Sequence, residues 1–408
     1  MNTLVARIRP IIVIFVVASI AVACGTPVHQ STPSHGLHWE LVSRTPGKDI
    51  SVTFPSYGWL SYNRCTRKVE SYVSLYSGSI FSYPSKDSYK TLWYWNGSRW
   101  LSLKVSVTLN PGSGEYAWDS NSCKAVALDE SSFPDYLNAK SHPGQVLNPT
   151  WMWDGSSWRL VDAISPAIST LGIMMVYDPA TNNIVLNGQS YDPNNGTWSV
   201  PKGSNYQVLQ KEMQLESVEH SYHPPSFSTT SSTWTFNGAT WVDEHPVNSP
   251  PLIAHRLTTY DPATSTVVVF GGWTYPISYL TPSKKLELVY NTWLWNGVSW
   301  TMAHPDTVPH IDTYFSAMAY DPLLHGVVLY DTRSHQIWLW SGNNWQKLRI
   351  VGSTYPPVRT QPSMVFDRAT GQFILAGGVG YTYKKGKLAI SSNPLTTTGT
   401  WVLAGSPS

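Results

Sequence analysis

A chain of 408 residues with 42% apolar side chains can build one large all-β domain or two ordinary ones around a sizeable core. Charged residues make up only 13%, and 27 basic against 25 acidic side chains leave no basic patch or charge run, which argues against nucleic acid as a partner. The excess lies in aromatic residues, with 20 Trp and 23 Tyr, so rigidity is expected from ring packing rather than from surface charge.

The first segment reads as a targeting sequence. Arg7 and Arg9 form a short basic region, and Ile11 to Val22 is an apolar run shorter than the roughly 20 residues of a spanning helix. Ala21-Val22-Ala23-Cys24-Gly25 resembles the lipobox of bacterial lipoproteins, although Ala21 stands where Leu is usual. We therefore expect a signal peptide over 1–23, acylation (palmitate) at Cys24, and a lipidated tether over 24–35. A single folded domain then covers 36–408. The alternative is plain secretion after cleavage at Ala23. Either way the protein is exported; with the lipid it sits on the extracytoplasmic side of the cell membrane. Loss of Arg7 and Arg9 leaves the mature chain with 25 basic and 25 acidic residues. Once Cys24 carries lipid, Cys65 and Cys123 remain as an even pair, for which a disulfide is expected in an oxidising compartment.

Two units alternate along the rest of the chain. One is a Trp-bearing hairpin: Trp93-Tyr-Trp95-Asn96-Gly97-Ser-Arg-Trp100, then the copies opening at Trp151, Trp234, Trp293 and Trp338. Asn-Gly or Asp-Gly between apolar residues predicts a tight turn, and with Asn96-Gly97 as a two-residue loop Trp93 falls opposite Trp100. The other unit is Tyr-Asp-Pro followed by an apolar run: Tyr177-Asp178-Pro179 with Ile184-Val185-Leu186, Tyr260-Asp261-Pro262 with Val267 to Phe270, and Tyr320-Asp321-Pro322 with Val327-Val328-Leu329. Phe366-Asp367 precedes Phe373 to Ala376, and fainter copies surround Asp119 and Asn63. The Asp residues are expected to cap turns, and the continuous apolar runs predict strands buried on both faces.

These units resemble bacterial kelch repeats, the family that includes the galactose oxidase central domain. The resemblance covers nearly all of residues 36–408 and implies an all-β, kelch-like β-propeller of four-stranded antiparallel blades. The segment Thr400-Trp401-Val402-Leu403 reads as the first half of a Trp hairpin and Gly36-Leu37-His38-Trp39 as the second. The N-terminal strand should therefore pair within the last blade and close the ring. That count gives six blades. Seven is the alternative, because the interval from Trp151 to Trp234 is the longest and contains Tyr191-Asp192-Pro193. However, Gln207 to Glu216 is too polar for an inner strand.

Insertions fall between the second and third strands of a repeat, at Gln189–Ser232, Trp273–Asn291 and Val379–Thr398. They carry Trp273, Tyr275, Tyr279, Tyr381 and Tyr383, together with Lys284, Lys285, Lys384 and Lys385. Function tends to reside in variable loops on a rigid scaffold, so these five aromatic residues are the candidate binding residues for a protein or glycan. His220-Ser-Tyr-His223 reads as a surface loop in the absence of a third ligand. The nucleotide, zinc-protease and nucleophile-elbow motifs are missing, and the copper-site residues of galactose oxidase have no matching positions. No cofactor, metal or catalytic residue is therefore expected. The reading is an exported, lipid-anchored, non-catalytic binding propeller. Its rival is a secreted carbohydrate-active or oxidative enzyme with a site at the central channel.

Overall fold

The computed structural model describes residues 36–43, 59–73, 91–104, 114–129, 150–161, 166, 168–191, 227–274, 287–384, 387–390 and 399–405. Residues His35–Ser408 cluster as one compact unit. After β1 (His38–Ser43), strands follow in antiparallel sheets. Sheet one holds β2 (Trp59–Asn63), β3 (Lys68–Val73), β4 (Thr91–Trp95) and β5 (Trp100–Lys104). Sheet two holds β6 (Gly114–Asp119), β7 (Lys124–Asp129), β8 (Thr150–Trp153) and β9 (Trp158–Leu160). Sheet three holds β10 (Ile168–Asp178), β11 (Asn183–Tyr191), β12 (Phe227–Phe236) and β13 (Trp241–Asp243). In sheet four, the short β14 (Ile253–Ala254) joins β15 (Leu257–Asp261), β16 (Thr266–Thr274), β17 (Leu288–Trp295) and β18 (Trp300–Ala303). Sheet five holds β19 (Ser316–Asp321), β20 (Gly326–Asp331), β21 (Ile337–Trp340) and β22 (Trp345–Leu348).

The final strands are β23 (Arg359–Thr360), β24 (Ser363–Asp367), β25 (Gln372–Ala376), β26 (Val379–Lys384), β27 (Lys387–Ile390) and β28 (Thr400–Ala404). Sheet six runs β24-β25-β28-β1, so it takes its outermost strand from the start of the domain: Trp39 lies opposite Leu403, and Leu41 opposite Trp401. β23, β26 and β27 make a small three-stranded sheet beside it. The innermost strands pack in succession, β2 on β6, β6 on β10, β10 on β15, β15 on β19, β19 on β24, and β24 on β2. This all-β arrangement is consistent with a β-propeller. Residues 206–219, which a seventh blade would need, lie outside the described residues. Among the described residues no helix is long and apolar enough to cross a membrane.

The second strand of each sheet is the most deeply covered. Val267, Val268 and Phe270 are fully buried, as are Val327, Val328, Leu329 and Tyr330. An apolar run without alternation is stable only where both sheet faces meet another layer. The Asp turns behave as capping geometry requires. Asp178 Oδ1 accepts the Ala180 N–H at 2.9 Å and Oδ2 the Thr181 hydroxyl at 3.0 Å. Asp261 and Asp367 repeat both bonds, and Asp119 and Asp321 each accept two backbone N–H groups.

The Trp hairpins depart from the expected register. Trp95, not Trp93, lies opposite Trp100, and the loop has four residues. Asn96 Oδ1 accepts the backbone N–H groups of Ser98 at 3.0 Å and Arg99 at 2.9 Å, while Asn96 N–H closes on Arg99 O at 3.2 Å. Only Gly97 needs positive φ, +96°. The side-chain bonds of Asn stabilise the longer loop, so the doubly left-handed two-residue turn is not used. Asp154 does the same work in sheet two, where N–H groups of Ser157 and Ser156 hold its carboxyl down at about 2. The result in every hairpin is a directly opposed aromatic pair: Trp95–Trp100, Trp153–Trp158, Phe236–Trp241, Trp295–Trp300 and Trp340–Trp345, with ring centroids 5.0 to 5.6 Å apart. Each pair contributes about 0.5–1.5 kcal/mol beyond its buried area.

These rings also join neighbouring sheets. Trp241 Nε1 donates to Thr150 Oγ1 at 2.8 Å, Trp300 Nε1 to Thr233 Oγ1 at 2.9 Å, and Trp345 Nε1 to Thr292 Oγ1 at 2.9 Å. Trp100 of sheet one donates to Thr400 of sheet six at 2.8 Å. In each case a Trp from the outermost strand reaches a Thr on the third strand of the sheet before it. In sheets one and five the equivalent sequence position holds Leu92 and Ile337. Trp39, which would face Ile337, has a buried Nε1 without a hydrogen-bond acceptor, and its ring packs on Tyr330 at 4.6 Å instead. A disulfide between Cys65 and Cys123, with Cα atoms 6.2 Å apart, ties the first turn of sheet one to the first turn of sheet two.

Thr292→Val keeps the shape of the side chain and strands the Trp345 N–H in a dry interface. We expect a loss of about 1–3 kcal/mol in denaturant unfolding with an unchanged circular dichroism spectrum.

Candidate functional site

Antiparallel pairing decides which residues can meet. Ser316 at the start of β19 lies opposite Asp331 at the end of β20. The segment entering an inner strand therefore shares one end of its sheet with the loop leaving the second strand, and the insertions emerge at that same end. Asp312, in the segment entering β19, collects side chains there. It caps a single 3-10 turn (Thr313–Phe315), and its Oδ1 accepts the Tyr314 N–H at 3.1 Å. The same oxygen accepts Trp273 Nε1 at 3.0 Å from the end of β16. Its Oδ2 takes Arg333 Nη1 at 3.5 Å from the loop after β20. Asp312 is 9% exposed and Arg333 50% exposed, so the carboxylate is fixed from below and the guanidinium faces solvent. Such a half-exposed pair adds at most about 1 kcal/mol to stability.

Aromatic rings lie on one side of the pair and pack on one another. The Arg333 guanidinium lies 5.4 Å from the centre of the Phe315 ring. Tyr381 of β26 meets Phe315 edge-on at 5.8 Å, and Tyr314 packs on His255 at 4.6 Å. Burial holds His255 below its ordinary pKa, with Asp312 pulling the other way. Beneath the rings, Thr332 donates its N–H to Phe315 O at 3.0 Å, and its Oγ1 lies 2.8 Å from that oxygen and 3.0 Å from Arg359 O. Arg359 is fully buried and donates to the carbonyls of Pro357, Gly377 and Gly399, and burial lowers its pKa to about 9. Sheets four and five and the small three-stranded sheet thus meet in one stiff cluster.

The structure brings Trp273 and Tyr381 together in this cluster, joined through Asp312, Arg333 and Phe315. Tyr383, two positions along β26, is 62% exposed. Tyr275, Tyr279, Lys284, Lys285, His220, His223 and Cys24 lie outside the described residues. Among the described residues no three His, Cys, Asp or Glu side chains gather as a metal site. Asp312, Arg333, Phe315 and His255 were not singled out from sequence. They sit in connections with no repeated motif, and only their position at the ends of inner strands marks them. Chemically, the arrangement presents a planar, half-exposed cation over the face of one aromatic ring, Phe315, with Asp312 as its anionic partner. Such a surface can hold a polar ligand by hydrogen bonds and stacking.

No protein-family model matches the chain and no curated protein is similar to it. Among solved structures, one titled "Structure of YjhT" is similar at 12% identity and a TM-score of 0.45, covering 86% of this chain and all of that one.

With Asp312→Asn the acceptor for Trp273 and Tyr314 is kept and the charge is lost. The pKa of His255 should then fall further below its ordinary value, read by imidazole NMR titration.

Proposed function

We propose that this protein is an exported, lipid-anchored kelch-type propeller of six blades that binds a protein or glycan ligand on its insertion face. One observation carries the reading: Trp273 from sheet four and Arg333 from the loop after β20 of sheet five meet at Asp312, leaving Arg333 half exposed over Phe315, which Tyr381 meets edge-on. A buried carboxylate that orients an exposed guanidinium costs burial of a charge and returns little stability. An arrangement of that kind is worth retaining for recognition. Pairing of β1 with β28 and the succession of inner-strand contacts support a closed ring, on which the ligand surface would be rigid. Rigid aromatic and Arg groups are the side chains that dominate binding energy at recognition surfaces.

The binding role is checked with the mature protein on a glycan array and against labelled envelope proteins. Arg333→Ala and Tyr381→Ala should each weaken whatever ligand the wild type captures by tenfold or more, with unchanged thermal unfolding. Retention of full binding by both variants would exclude this surface as the site. The anchor is checked separately by metabolic labelling with an alkyne palmitate analogue. The wild type should carry label in the membrane fraction, and Cys24→Ala should carry none and appear in the soluble fraction.

A further inference from the structure

At the opposite end of the sheets, where the Asp turns and Trp hairpins lie, sheets two and three enclose a cavity of about 310 Å³. Its floor is apolar, from Val126 and Met152 of sheet two and Ile184 and Phe236 of sheet three. Its rim is polar, from Asp119, Ser122, Lys124, Asn182 and Asn237. Tyr177 lines it too and donates its hydroxyl to Asn182 Oδ1 at 2.8 Å.

The repeat itself explains why space exists here. The opposed pair of each hairpin faces the preceding sheet. In sheets four and five that pair is Trp295–Trp300 and Trp340–Trp345, with every ring buried. In sheet three the first ring is Phe236, whose phenyl lacks the fused five-membered ring of an indole. The turn facing it is trimmed as well. In the next two interfaces a Thr methyl closes on the hairpin glycine: a Cβ built on Gly297 would meet Thr181 Cγ2 at 2.7 Å, and one on Gly342 would meet Thr264 Cγ2 at 2.7 Å. The position that faces Gly238 holds Ser122, which has no such methyl, and a Cβ on Gly238 would meet nothing within 4 Å. Gly97 and Gly155 are equally open, but their hairpins carry Trp95 and Trp153, so an open glycine and a phenyl in place of an indole coincide at this interface.

We propose that this cavity is a binding site for a small monocyclic aromatic molecule bearing one hydroxyl or amino substituent. The missing part of the repeat is the pyrrole half of an indole, and the opposed Trp241 of the pair remains in place against Phe236. Apolar cavities of roughly 150 Å³ already take up benzene, so the space here admits a substituted ring. The carboxamide oxygens of Asn182 and Asn237 already accept from Tyr177, Asn121, Ala239 and Thr240, and the Ser122 hydroxyl donates to Asp119. The two Nδ2 groups and the Ser122 oxygen are therefore the partners left for the single polar group, and the exposed turns leave the mouth open to solvent. The site lies at the far end of the sheets from the Asp312 cluster and does not depend on it.

The test is titration of the mature protein with phenol, followed by saturation-transfer NMR and by thermal unfolding. Wild-type protein should show saturable transfer and a phenol-dependent rise in Tm. Phe236→Trp restores the residue found in the sister hairpins, so it should fold with equal or higher Tm and bind phenol at least tenfold more weakly. Ser122→Phe, which covers the exposed rim without touching the core, should weaken binding in the same way if the first variant does not fold. Absence of saturable transfer to the wild type, or undiminished binding by a folded Phe236→Trp protein, would overturn the assignment.

Discussion

Burying an indole N–H without an acceptor is costly, and for four outermost-strand Trp residues of this protein the acceptor belongs to a different sheet. Trp100, Trp241, Trp300 and Trp345 each reach back to Thr400, Thr150, Thr233 and Thr292. Burying the ring favours close approach of two sheets; satisfying its N–H fixes how far one sheet slides and turns against the other. Hydrophobic contact alone has no direction, whereas a bond of about 2.9 Å between named atoms does. The bond from Trp100 to Thr400 spans a sequence separation of 300 and brings the same constraint to the sheet that holds both ends of the domain. Where Ile337 replaces the Thr, Trp39 keeps its burial and lacks an acceptor, and its ring packs at a tilt on Tyr330.

Positions set in this way carry through to the strand ends. The segment entering β19 and the loop leaving β20 emerge side by side because Ser316 and Asp331 are paired. Asp312 can therefore hold Trp273 from one sheet and Arg333 from another without any flexible loop between them. Thr332 and the buried Arg359 stiffen the layer underneath through backbone carbonyls.

Much of the scaffold is legible from the residues. Tyr-Asp-Pro turns, unbroken Val and Ile runs and Asn-Gly hairpins each have a local physical cause, and the expected strand order within a repeat matches the sheets. The hairpin register was not legible. Two turn chemistries compete at Asn-Gly, and the choice rests on bonds from Asn96 Oδ1 to Ser98 and Arg99 that no pattern of apolar residues encodes. The Thr acceptors were equally hidden: Thr292 looks like an ordinary strand residue until Trp345 is placed beside it. Trp273 and Tyr381 could be picked as loop aromatics by composition. Asp312 and Arg333 could not, because their meeting depends on the packing of sheets four and five and not on spacing along the chain.

The pairing of β1 with β28 also has a meaning for biosynthesis. His38–Ser43 is the first described strand to leave the ribosome, and its hydrogen-bond partner Thr400–Ala404 follows every other described strand. Until then β1 is an unpaired edge, the kind of segment that invites association with other chains. A chain interrupted before Thr400 leaves that edge without its own complement, so the pairing that hides β1 comes late in synthesis.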